Sequence, residues 1–257
     1  MTPGYAELEL DLPEALLQAL LKKLQETPAA ALSSANTEAL PEAQGVYTLH
    51  LSQNADPIYV GKTDSDSGLK QRLSRHARKL IGRKNIVPEE VFFKAIRLYV
   101  FTAMDLETAL IAHYGGVKSV IWNHSGFGSN DPGKERDTTT YKPEHFDTKY
   151  PINIEIPLEA EFPVQDTVAT YFQIMKDSLP YLFRFERPNP NSKKSFPKDF
   201  VDTIVVCPQN PTPKSLIEAC LEKLPSGWQA TALPSHIICY KNDTRNIKSG
   251  FWTEKSR

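Results

Sequence analysis

The side chains Tyr47, Tyr59, Lys62, Arg72, His76, Glu107 and Asn123 have the types that hydrolysis at a phosphate group requires. Such a reaction needs a water made nucleophilic, cations to offset charge on the phosphoryl oxygens, and help for the leaving oxygen. Glu107 is a carboxylate beside Leu106, Leu110 and Ile111. It offers a hard oxygen ligand for Mg²⁺ or Mn²⁺, or else is an ordinary first-turn glutamate favoured by the helix dipole. Arg72 and His76 stand four apart and share one helix face. The planar fork of Arg72 suits a phosphate oxygen. His76 would accept a proton, hold a tyrosine hydroxyl, or simply pack beside an apolar stripe. Tyr47 and Tyr59 read as packing residues on neighbouring strands, or as bases if cations lower their pKa from about 10. Lys62 and a bound metal would supply that field. Gly61 permits close approach of backbone or substrate, and Asn123 would orient side chains or a water.

The elements that must position these groups follow from pattern and punctuation. GVYTLHL (45–51) and PIYVGKT (57–63) are β-prone runs joined by SQNAD, a hairpin signal. SGLKQRLSRHARKL (67–80) is helical, with Leu69, Leu73, Ala77 and Leu80 as the inward stripe. Residues 91–102 read as a third strand, and 105–115 as a helix with Asp105 as N-cap and Gly115-Gly116 as its stop. Upstream, Asp11 caps a helix whose Leu16, Leu17, Leu20, Leu21 and Leu24 form one face, and residues 28–43 connect it. Residues 122–151 read as a polar loop. Beyond it come strand 153–158, helix 167–180, strand 181–186, a linker at 187–197, strand 202–208, helix 212–224 and strand 236–242. The last residues, 241–257, are expected to fray or to order on a partner.

Bulk properties set the class. The 40% hydrophobic and 24% charged fractions are those of a folded protein. No apolar run is long enough for a membrane span, and the first residues lack a signal-peptide pattern. Cys207, Cys220 and Cys239 are not in metal or disulfide spacing, which makes a reducing cytoplasm the expected compartment. The net charge is -1, yet nine bases between Lys70 and Arg97 face only Glu89 and Glu90, giving +7 locally. That block is either a phosphate-facing surface or a solvated helix face.

Taken in order, Gly45-Val46-Tyr47, Tyr59-Val60-Gly61-Lys62, Arg72-Leu73-x-x-His76, a helical Glu107 and a later Asn123 resemble the GIY-YIG nuclease superfamily over residues 45–123. Val46 and Val60 replace the isoleucines of the family name. His76 is similar to the restriction-enzyme branch, where many repair members carry tyrosine. The glycine-rich run 122–137 resembles type II restriction endonucleases of SacII-like (CCGCGG) specificity. The resemblance implies an α+β fold: a GIY-YIG core with a small mixed or antiparallel sheet flanked by helices, an N-terminal helix and linker (1–43), the core with its DNA-contacting loop (44–151), and a C-terminal α/β extension (152–257) that is divisible at 187–197. It implies Tyr47 as general base or water-positioner, with His76 and Tyr59 as supports for the nucleophile. It also implies Lys62 as charge stabiliser, Arg72 as phosphate clamp, Glu107 as metal ligand and Asn123 as an orienting group. Arg75, Arg78, Lys79, Lys134 and Arg136 would contact DNA. The expected partners are double-stranded DNA, a second copy in a homodimer, and a cognate methyltransferase in the same cell, with no membrane. A repair, mobile-element or toxin nuclease, or an inactive DNA-binding protein, is the other reading.

Overall fold

A computed structural model of the chain describes residues 4, 6–7, 9, 11–63, 68–99, 105–127, 133, 137–189, 192 and 195–257. The architecture is mixed α+β, in two compact units: residues 1–78 with 87–124, and residues 79–86 with 125–257.

The first unit starts with helix α1 (Leu12–Glu26), where the Asp11 carboxylate accepts from the Glu14 amide at 3.0 Å and caps the first turn. Strand β1 (Ala30–Ala31) and helix α2 (Ser34–Glu38) lead to the hairpin of β2 (Gly45–His50) and β3 (Tyr59–Thr63). Helix α3 (Gly68–Leu80), strand β4 (Phe92–Arg97), helix α4 (Leu106–His113) and helix α5 (Ile121–Ser125) follow. The strands form one antiparallel sheet in the order β1-β4-β2-β3.

Central β2 is buried along its whole length, having a strand on either side. Its alternation sorts side chains between two faces. Val46 joins Leu20, Leu21 and Leu24 of α1, Val60 of β3, and Leu106 and Leu110 of α4 in one apolar cluster. Each such aliphatic chain contributes about 1.5–3 kcal/mol through burial. Tyr47 points to the opposite face, where α3 supplies His76. The predicted stripe of Leu69, Leu73, Ala77 and Leu80 is buried on α3.

In the second unit, helix α6 (Phe146–Lys149) precedes β5 (Gln165–Thr167), α7 (Val168–Ser178), β6 (Leu182–Phe185), α8 (Lys198–Asp202), β7 (Ile204–Val206) and α9 (Pro213–Lys223). Strands β8 (Trp228–Leu233), β9 (His236–Lys241) and β10 (Trp252–Lys255) complete it. One sheet has the order β10-β8-β9-β6, with β6 parallel to β9 and the other pairs antiparallel, while β5 pairs with β7. Phe172, Phe183, Phe200 and Trp228 centre its core.

Four sequence expectations change here. Residues 153–158 form no strand: Ile152 bonds the Pro234 carbonyl while Asn153 bonds the Gly82 carbonyl, so adjacent amides take different partners and no ladder develops. The end of the chain is not frayed, because Trp252–Lys255 pairs with β8. That central strand, β8, was not expected, since Ala230 and Ala232 carry little β signal. The described part of 122–151 holds two short helices, α5 and α6, and from Ser125 onward it makes its contacts with the second unit. Among the described residues no helix is long and apolar enough to cross a membrane.

Candidate active site

Strands β2 and β3 and helix α3 bring four of the predicted residues into one cluster. The Tyr47 hydroxyl lies 2.8 Å from His76 Nε2 and accepts from Arg72 Nε at 3.2 Å. The Tyr47, Tyr59 and His76 rings are mutually close, with centroids 6.0, 5.5 and 5.4 Å apart. The arginine is also near enough to Tyr59 for the two side chains to interact electrostatically. The four-residue step on α3 is what lets Arg72 and His76 address the same phenol.

Gly61 is required by this geometry. It sits directly opposite Tyr47 in the ladder, and a Cβ there would overlap the tyrosine Cζ and hydroxyl oxygen. The phenol ring of β2 therefore lies across the bare backbone of β3. The close approach expected at Gly61 is made by Tyr47 itself.

Tyr47 is fully buried, whereas Tyr59 and Arg72 are half-buried. Burial pushes the Tyr47 hydroxyl well above its ordinary pKa, Tyr59 adds to the rise, and Arg72 offsets only part of it. Tyr47 is thus a neutral phenol here, held between His76 and Arg72. The expectation that Lys62 lowers its pKa is not met, because Lys62 turns to the other face of the sheet. Its ammonium donates to Asp105 Oδ1 at 2.9 Å.

Asp105 is the N-cap of α4, and its other oxygen accepts from Thr108 Oγ1 at 2.7 Å. These bonds pull its carboxyl down to about 2, with Lys62 the largest cause and Thr108 next. Two residues on, Glu107 is half-buried. Burial raises its carboxyl above the usual range, with Lys62 and Arg72 opposing the rise and Asp105 adding to it. Glu107 therefore feels the cations of both sheet faces. Among the described residues no group of three His, Cys, Asp or Glu side chains is placed to hold a metal ion. Among the described residues Glu107 is the carboxylate assigned to the ion, and one carboxylate fits Mg²⁺, which keeps several waters and needs few protein ligands.

Asn123, on α5, accepts from the Val60 amide and donates to the Val60 carbonyl, both at 2.8 Å. Val60 lies on the edge strand of the sheet, so the side-chain amide stands in for a missing neighbour strand. Asn123 orients backbone between Tyr59 and Gly61, and both ends of its amide are engaged in doing so.

The basic block is not one solvated stripe. Arg83 is buried against Asp147 at 2.8 Å, Lys94 donates to the Leu24 carbonyl, and Lys70 pairs with Glu38. Lys79 donates to the Phe127 carbonyl at 3.1 Å, so a phosphate contact would have to displace that bond. Arg78 is exposed and Arg75 half-buried on α3. Lys134 and Arg136 lie outside the described residues.

Two features escaped the sequence reading. Asp105 was seen only as a cap, though its position two before Glu107 was a usable signal. In the second unit, Asp137 is fully buried with Arg184 at 2.8 Å, His236 at 2.9 Å and Arg245 at 3.1 Å. Nothing local marks that cluster, since its members lie up to 108 residues apart. No protein-family model matches the chain, and no curated protein does.

Proposed function

We propose that the first unit is a GIY-YIG-type nuclease core, and that the protein is a metal-dependent type II restriction endonuclease acting on double-stranded DNA. The observation that carries this reading is the convergence of Tyr47, Tyr59, Arg72 and His76 in one cluster, with Glu107 close enough to Arg72 and Lys62 to feel both charges. Residues from three separate elements meet there, and each has a job that phosphodiester hydrolysis needs.

Glu107 is the residue that would hold Mg²⁺ or Mn²⁺, which when bound supplies positive charge at a phosphoryl oxygen and acidifies its water. Arg72 offers its guanidinium to a non-bridging phosphate oxygen while Tyr47 keeps the side chain oriented. Lys62 offsets charge as it develops. Half-buried Tyr59 is the tyrosine that meets the nucleophilic water. Its proton would pass through the tyrosine hydroxyls to His76 Nε2, in the tautomer that leaves this nitrogen free to accept. Tyr47 and His76 act as a unit, so no free tyrosinate accumulates on a phenol whose burial disfavours it. Asn123 and Gly61 fix the strand that carries Tyr59.

Sequence specificity would come from residues 122–150, and a palindromic target would be met by a two-fold homodimer. A cognate methyltransferase would protect host DNA.

The test is incubation of purified protein with unmethylated phage DNA, in Mg²⁺ and in EDTA, resolved on a gel. Discrete bands that need the metal support the restriction reading. A smear replaces it with a non-specific repair, mobile-element or toxin nuclease. Intact DNA that is nevertheless bound replaces it with an inactive DNA-binding protein.

A further inference from the structure

We propose that Asp105 is a positioning residue of this site, aiming the Lys62 ammonium beside Glu107 before substrate arrives. The inference rests on the nuclease reading.

The geometry is a short chain of bonds. Lys62 Nζ donates to Asp105 Oδ1 at 2.9 Å, and Asp105 Oδ2 accepts from Thr108 Oγ1 at 2.7 Å. The carboxylate also caps α4 through the Thr108 amide. It is therefore held by its own helix on one side and holds the lysine of β3 on the other. The same helix carries Glu107 in its first turn. One side chain thus couples the strand that bears the cation to the helix that bears the candidate metal ligand.

Stability does not explain the pair. Its two side chains are 53% and 52% exposed. A pair that open is screened and adds little to folding. What it does accomplish is restraint. A lysine stem has four rotatable bonds, and ordering it costs about 1.5–2 kcal/mol of side-chain entropy. Asp105 meets that cost in the resting protein, so the ammonium need not be ordered during the reaction. Asp105 touches neither substrate nor reacting atoms; it works through Lys62.

The alternative is that Asp105 only caps α4. Asp105→Asn and Asp105→Ser separate the two roles, because each keeps a cap oxygen and removes the charge. Wild type, both variants, Lys62→Met and the Lys62→Met/Asp105→Asn double variant are compared in single-turnover cleavage of DNA with Mg²⁺, alongside thermal melts. Positioning predicts that the single-turnover rate constant at saturating protein falls about tenfold in both Asp105 variants while the half-saturating concentration and the melting temperature hold. It also predicts that Asp105→Asn has no further effect once Lys62 is Met. An unchanged rate constant in the Asp105 variants, or the same loss on the Lys62→Met background, overturns the inference and leaves the nuclease reading intact. A wild-type protein that does not cleave DNA overturns both.

Discussion

Replacing Gly61 by alanine tests the geometry on which the site depends. The backbone itself tolerates alanine, since Gly61 lies in a strand and alanine there is favoured over glycine by roughly 0.5–1 kcal/mol. The obstacle is the Tyr47 ring, whose Cζ and hydroxyl oxygen occupy the space of the new methyl group. Forcing extra volume into such a contact costs about 1–3 kcal/mol. Swinging the ring aside also breaks the 2.8 Å bond to His76 and the 3.2 Å bond from Arg72, at about 1 kcal/mol each. With the alanine gain subtracted, the first unit should lose about 3 kcal/mol, read as roughly 150-fold faster native-state hydrogen exchange of the β2 and β3 amides. Exchange is the suitable assay because two units need not unfold as one, and it reports on these strands alone. Leucine at position 47 lacks the colliding atoms, so Gly61→Ala should be neutral or slightly stabilising on a Tyr47→Leu background. An equal loss on both backgrounds would refute the argument, because the cost would then not come from the phenol.

Other outcomes follow from the same contacts. Tyr47→Phe keeps the ring and removes the hydroxyl, so it should cost about 1–3 kcal/mol by stranding buried groups on Arg72 and His76, measured again by exchange of β2. Asn123→Ala should raise exchange at Val60 by loss of both edge bonds. Asn123→Asp should be worse than alanine at neutral pH, because a carboxylate oxygen would then face the Val60 carbonyl. In the second unit, Asp137→Asn should cost about 3–5 kcal/mol in urea melts, since it leaves buried cations uncompensated. Burial alone would raise the Asp137 pKa, but His236, Arg184 and Arg245 together depress it. Its contribution is therefore present above the ordinary carboxylate range near pH ~3.9, and is lost as pH falls through the lower folded value. The acid transition of the second unit should be steep in wild type and shallower in Asp137→Asn.

Much of the first unit was legible in the sequence because its signals are local. Helical periodicity put Leu69, Leu73, Ala77 and Leu80 on one face, and all four are buried. Arg72 and His76 were paired by a four-residue step, and the hairpin by its β-prone runs. Choice of partner was not legible, because it depends on residues far apart in the chain. Lys62 was assigned to the tyrosines, yet strand alternation turns it to the opposite face, where Asp105 lies 43 residues away. Charge alone placed Arg83 among phosphate-facing bases, whereas it is a buried counter-ion for Asp147. In the second unit the losses came from composition. Ala230, Thr231 and Ala232 are small because they sit in a covered central strand, and β10 exists only because β8 offers it an edge.

Metal-dependent cleavage stands or falls at Glu107. Burial raises its carboxyl, so whatever it contributes to folding is present while it is protonated and is lost as pH rises through the folded value. At neutral pH the wild type therefore carries a half-buried charge that Glu107→Gln does not. Glu107→Gln should melt at a higher temperature than wild type at neutral pH, bind the same DNA without metal, and fail to cleave it in Mg²⁺. A Glu107→Gln protein that cuts DNA at the wild-type rate would remove Glu107, and the metal it is proposed to hold, from the reaction.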